Sequence, residues 1–130
     1  MSGIERFAGG GPWEQRFGYS RVVRAGNLVL VAGTTAIGDD GVVRGIGDAG
    51  AQTAFVLDRI AAALAQAGAR MNEVVQTRMF VTDMSRAEEI GRAHGERFAE
   101  NPPVSTMVQV AGLIDPRMLV EIEAVAYVGA

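Results

Sequence analysis

The sequence predicts an α+β fold in which a mixed sheet of about six strands carries two helices on one face. Three patterns point to it. Asp48–Ala67 repeats apolar residues at helical spacing, Val74–Thr82 and Leu119–Tyr127 are rich in strand-forming residues, and glycine, asparagine and proline punctuate the chain between them.

In chain order, residues 1–17 contain Gly9-Gly10-Gly11-Pro12 and read as an extended arm with Phe7, Trp13 and Phe17 as apolar anchors. Tyr19–Val23 and Leu28–Ala32 read as strands joined by a hairpin through Gly26-Asn27. A short edge strand is expected at Val42–Arg44 after the turn Asp39-Asp40-Gly41. The first helix, Asp48 to Ala67, carries one apolar stripe (Val56, Leu57, Ile60, Leu64) and ends at Gly68. Ser85-Arg86-Ala87-Glu88 fits a capping box that opens a second helix to about Phe98, and Asn101-Pro102-Pro103 stops it. Ser105–Val110 and Leu119–Tyr127 close the chain as strands. At 130 residues the sequence suits one domain spanning 1–130.

Composition narrows the chemistry. The chain has no cysteine, and all 12 basic residues are arginine. Disulfides, thiolate nucleophiles, cysteine metal sites and lysine Schiff bases are therefore excluded. A single histidine, His94, builds no multi-histidine metal centre, so any chemistry is expected to run on carboxylates, hydroxyls, arginines, backbone amides and water. The net charge of −3 is spread along the chain, which argues against a nucleic-acid partner. No apolar run reaches the roughly 20 residues of a bilayer span, and no secretory leader is evident at the N-terminus, consistent with a cytoplasmic protein.

Alternation on the last strand places Val120, Ile122, Ala124 and Ala126 on one face and Glu121, Glu123, Val125 and Tyr127 on the other. The second face is too apolar for plain solvation and too charged for a core. The same holds for Gln76, Arg78 and Phe80. Burial against further copies of the chain reconciles the two, so a homo-oligomer is expected. Glu121 and Glu123, roughly 6.5–7 Å apart, would repel by about 2.4 kcal/mol at an effective dielectric near 20, which is expected to raise the pKa of one of them.

Gly18-Tyr19, Gly26-Asn27-Leu28-Val29, Val31-Ala32-Gly33, Phe80-Val81-Thr82-Asp83, Pro103 and Glu121-Ile122-Glu123-Ala124-Val125-Ala126 recur here in an order and spacing that resembles the RidA/YjgF family of reactive intermediate deaminases. The resemblance implies a chorismate-mutase-like fold, a homotrimer with clefts between subunits, and cofactor-independent hydrolysis of small enamines or imines. It implies Glu121 as the catalytic residue that orients water, with Tyr19 and Gly33 in the cleft. The family's carboxylate-binding arginine falls at Ser105, a frequent cysteine at Met107, and a frequent serine at Ala32. A serine cannot replace a bidentate guanidinium, which puts ordinary 2-imino acid activity in doubt.

Other ligand contacts are expected from Ser105, Thr106 and Met107, with Arg21 or Arg78 as substitute anion anchors or, instead, as ion-pair partners of glutamates. Glu123 suits a structural salt bridge. His94, flanked by Arg92 and Arg97, reads as a surface or interface residue. The alternative to catalysis is a trimer of the same fold that binds a small metabolite or a partner without turning it over.

Overall fold

The computed structural model describes residues 3–129. Six strands form one sheet: β1 (Ile4–Phe7), β2 (Val22–Ala25), β3 (Leu28–Thr34), β4 (Val74–Val81), β5 (Val104–Gln109) and β6 (Val120–Tyr127). Their spatial order is β1-β2-β3-β6-β4-β5, with only β4 and β5 parallel. The C-terminal strand β6 therefore lies inside the sheet, antiparallel to β3 on one side and β4 on the other.

Two long helices, α2 (Ala49–Gln66) and α3 (Ala87–Phe98), cover one face, while α1 (Glu14–Phe17) is a single turn. The apolar stripe of α2 is the core: Val56, Leu57, Ile60 and Leu64 are fully buried against Val29, Val31, Ile122 and Ala124. Asp48 caps this helix by accepting from the Ala51 amide at 2.9 Å. At its other end Gly68 adopts φ +82°, and the Ala69 amide donates back to Leu64 in a Schellman closure. Fully buried Gln52 ties α2 to the entry of β6: its amide donates to the Arg117 carbonyl, and its oxygen accepts from the Leu119 amide, each at 2.8 Å.

Three expectations need correction. The N-terminal arm is not simply extended, because Ile4–Phe7 pairs with the otherwise open edge of β2 and Glu14–Phe17 makes a helical turn. Phe7 packs on the core, but Phe17 is 59 % exposed and anchors nothing within the subunit. Val42–Arg44 supplies one bridge, Ile37 to Val43, and no strand. The entry to α3 is a 3-10 turn, Met84–Arg86, capped by Asp83, which accepts from both the amide and the hydroxyl of Ser85. Ser85 is thus consumed as a donor, and the Ser85–Glu88 capping box does not form. No helix among the described residues is long and apolar enough to cross a membrane.

Gln52→Leu keeps the volume but strands the Leu119 amide and the Arg117 carbonyl. The expected loss is roughly 2–4 kcal/mol, read as a lower urea midpoint with an unchanged slope.

Candidate functional site

The alternation of β6 places Glu121 on the helix-free face, beside an irregularity in β3. Between Val31 and Thr34, β3 uses one residue more than β6, so the strand bulges at Ala32-Gly33. The Glu121 carboxylate fills the space this creates: a Cβ on Gly33 would lie 2.5 Å from its Oε2. Gly33 is required for space, since its φ is not positive. The carboxyl group forms the floor of a cleft of about 120 Å³ lined by Tyr19, Arg21, Arg59 and Thr35, with Trp13, Phe17 and Ile114 as apolar walls.

Glu121 makes no hydrogen bond or ion pair among the described residues. Burial raises its pKa, Arg21 opposes the rise, and Glu123 adds the smallest contribution. Sequence alone points to repulsion between the two glutamates as the main cause. Burial takes that role instead, because Arg78 pairs with Glu123 at 2.5 Å. Arg78 stands on the helix-free face in a separate hollow that also includes Tyr19 and Glu123.

Arg21 is in the cleft but heavily committed. It meets Glu14 at 3.4 Å and donates to the Gly33 carbonyl and the Thr34 hydroxyl, each at 3.0 Å. Its guanidinium also lies 5.8 Å from the Tyr19 ring centre. Glu14 is only 6 % exposed and accepts from the amides of Gly9 and Gly11. The glycine run is thus a cradle for the chain's own carboxylate, and a Cβ at Gly11 would sit 2.9 Å from it. Neither Glu14 nor Arg59 was singled out from sequence. The available signal for Glu14 was a lone acid three residues after a glycine run.

Ser105, Thr106 and Met107 lie on the edge strand β5, two strands away from β6 in the sheet, and do not line this cleft. Ser105 instead accepts from the Thr77 hydroxyl at 2.8 Å, and Thr77 is 2.8 Å from His94 Nε2. His94 is therefore no surface residue. It is 9 % exposed, packs on Phe98, and burial lowers its pKa. Ile90, His94 and Phe98 recur every four residues on the buried stripe of α3, a spacing that marks it.

The family model described as Endoribonuclease L-PSP matches residues 13–128. The chain belongs to this family, the YjgF/RidA family. An uncharacterized protein of Streptomyces coelicolor is 40 % identical over 127 residues, covering 98 % of this chain and 94 % of that one. The 3-aminoacrylate deaminase RutC of Acinetobacter baylyi is 36 % identical over 110 residues, covering 85 % and 86 %. The crystal structure of Rv2704, a YjgF/YER057c/UK114 family member from Mycobacterium tuberculosis, superposes with a TM-score of 0.87 at 49 % identity, covering 96 % of this chain and 99 % of that one. The mixed six-stranded α+β fold of this YjgF/RidA protein matches that structure.

The raised pKa of Glu121 fixes the sign of a stability effect. Between its unfolded value, 4.5, and its higher folded value, the folded protein binds more protons than the unfolded chain, so stability falls as pH rises. Glu121→Gln removes that loss. Urea melts across this range are expected to show the variant gaining on the wild type with increasing pH.

Proposed function

We propose that this YjgF/RidA protein is a cofactor-independent hydrolase that deaminates a small enamine or imine in clefts completed between the subunits of a homotrimer. The observation that carries this reading is the half-buried, unpaired Glu121 carboxyl held over Gly33 in a small cleft. Kinship with the RutC deaminase supports the substrate class.

A carboxyl group whose pKa is raised retains its proton closer to neutrality and can act as an acid as well as a base. Glu121 delivers a proton to the enamine carbon, giving an iminium ion. The resulting carboxylate takes a proton from the attacking water as its oxygen bonds to the iminium carbon. Glu121 then passes its proton to the carbinolamine nitrogen, ammonia departs, and the Glu121 carboxylate takes the hydroxyl proton, leaving the carbonyl product and the protonated acid that began the cycle. Tyr19 closes the wall and offers a phenol donor to the developing oxygen.

Trimer formation accounts for two features of the isolated subunit. Leu28 and Leu30 are 44 % and 43 % exposed on the helix-free face, beside Val125 and Tyr127. The edge strand β5 carries Val104 at 69 % exposure. In an assembly these surfaces meet, and a neighbouring β5 brings Ser105, Thr106 and Met107 to the Glu121 cleft that they cannot reach within one subunit. An RNA-cleaving role is less favoured: the net charge is −3, and Arg44, Arg78, Arg92, Arg97 and Arg117 each pair with a carboxylate. The non-catalytic alternative uses the same cleft without Glu121 chemistry, and activity separates the two.

Freshly generated amino-acid-derived imines and 3-aminoacrylate, followed by ammonia release, test the reaction. Turnover above buffer is expected, with Glu121→Ala lowering kcat by about 10²–10⁴-fold and Tyr19→Phe by less. An equally active Glu121→Ala, or no turnover of any substrate offered, ends the enzymatic reading. Sedimentation equilibrium at micromolar concentration is expected to return three times the 13.7 kDa chain mass, and a stable monomer contradicts the assembly.

A further inference from the structure

The family arginine that would bind a carboxylate is replaced by Ser105, and the two substitutes suggested by sequence are both occupied. Arg78 is held by Glu123, and Arg21 by Glu14, two carbonyl groups and the Thr34 hydroxyl. Arg59 is differently placed. It projects from the middle of α2 into the cleft that holds Glu121. One of its terminal nitrogens donates to the Ile37 carbonyl, which fixes the guanidinium. No carboxylate among the described residues comes within ion-pair distance of it. The acids nearest in effect are Asp39 and Glu14; Asp39 borders the hollow behind Arg59, and Glu14 is already bound to Arg21 and two glycine amides.

We infer that Arg59 is the anion anchor of this cleft, and that the ligand is a small carboxylate whose reacting carbon lies within a few bonds of the carboxyl group. The inference rests on the deaminase reading only for the identity of the reaction, not for the binding. A guanidinium presents five N–H donors in a planar fork, and Arg59 commits one of its groups to Ile37. The remaining edge matches a carboxylate, and partial burial strengthens the contact by excluding water. Charge balance agrees. Arg21 and Glu14 pair with each other, and Asp39 acts on Arg59 without coming within ion-pair distance, so Arg59 has no salt-bridged carboxylate among the described residues. The cleft, about 120 Å³ within one chain, suits a small ligand, and its apolar walls, Trp13, Phe17 and Ile114, suit a short carbon skeleton. An arginine on α2 thus stands in for the lost anchor on β5, which permits a carboxylate substrate without an arginine at position 105.

Pyruvate and methyl pyruvate serve as probes, titrated into the whole protein and followed by NMR. Wild type is expected to bind pyruvate and to discriminate against the ester. Arg59→Gln should weaken pyruvate at least tenfold while leaving the ester unchanged, and Arg59→Lys should fall between, since it keeps charge without the fork. Equal pyruvate binding by wild type and Arg59→Gln overturns the assignment, as does equal binding of acid and ester or no pyruvate binding by wild type. If Arg59→Gln does not fold, Arg59→Lys decides by the same acid-against-ester comparison. Imine turnover separates the two claims. Arg59-dependent pyruvate binding without turnover removes the deaminase and keeps the anchor, whereas turnover with an unchanged KM in Arg59→Gln removes the anchor and keeps the deaminase.

Discussion

Strand β6 is hydrogen-bonded along both edges, by β3 and by β4, so its register is set twice. A slip of one residue would turn Ile122 and Ala124 out of the core and drive Glu121 and Glu123 into it, at the expense of a buried charge pair with no counter-ion. That constraint holds the sheet, the helix layer and the carboxylates in one arrangement. Gln52 strengthens it by hydrogen-bonding the chain just before β6 begins, so the strand enters the sheet already aligned with α2.

The two carboxylates that share a face then part in character. Glu123 meets Arg78 across the β4–β6 ladder and is neutralised. Glu121 meets the bulge of β3, where a glycine leaves room, and although Arg21 and Arg59 line the same cleft neither forms an ion pair with it. One irregular residue in a neighbouring strand therefore separates an ion-paired acid from one that has no ion pair among the described residues. Desolvation is the largest influence on the Glu121 carboxyl and moves its pKa upward against the pull of Arg21.

Features that depend on local periodicity were legible in the sequence. The stripe of α2, its cap at Gly68, the hairpin at Gly26-Asn27 and the two faces of β6 follow from residue type and spacing. What escaped depends on contacts between distant segments. Ile4–Phe7 is too short to show alternation and becomes a strand only because β2 offers an edge. His94 lies between arginines in sequence, yet Arg92 and Arg97 leave its helix face clear, and a threonine from β4 meets it. Arg59 falls on the flank of the apolar stripe, where sequence gives no hint that Gly9, Ile37 and Glu121 converge around it. The family resemblance located Glu121, Tyr19 and Gly33 together, and they do line one cleft; it could not say which cation stands beside them once the arginine was gone.

The cradle of glycine amides around Glu14 has a consequence for how such a protein can diversify. Pro12 and Trp13 immediately precede this residue and Phe17 follows it, so part of the cleft wall hangs from a single polar knot rather than from the sheet. Side chains on that wall can vary in size or polarity while the knot keeps the backbone in place and the core beneath remains untouched. Ligand preference and fold stability are thus carried by separable parts of one small chain, a division of labour usually associated with loops mounted on much larger scaffolds.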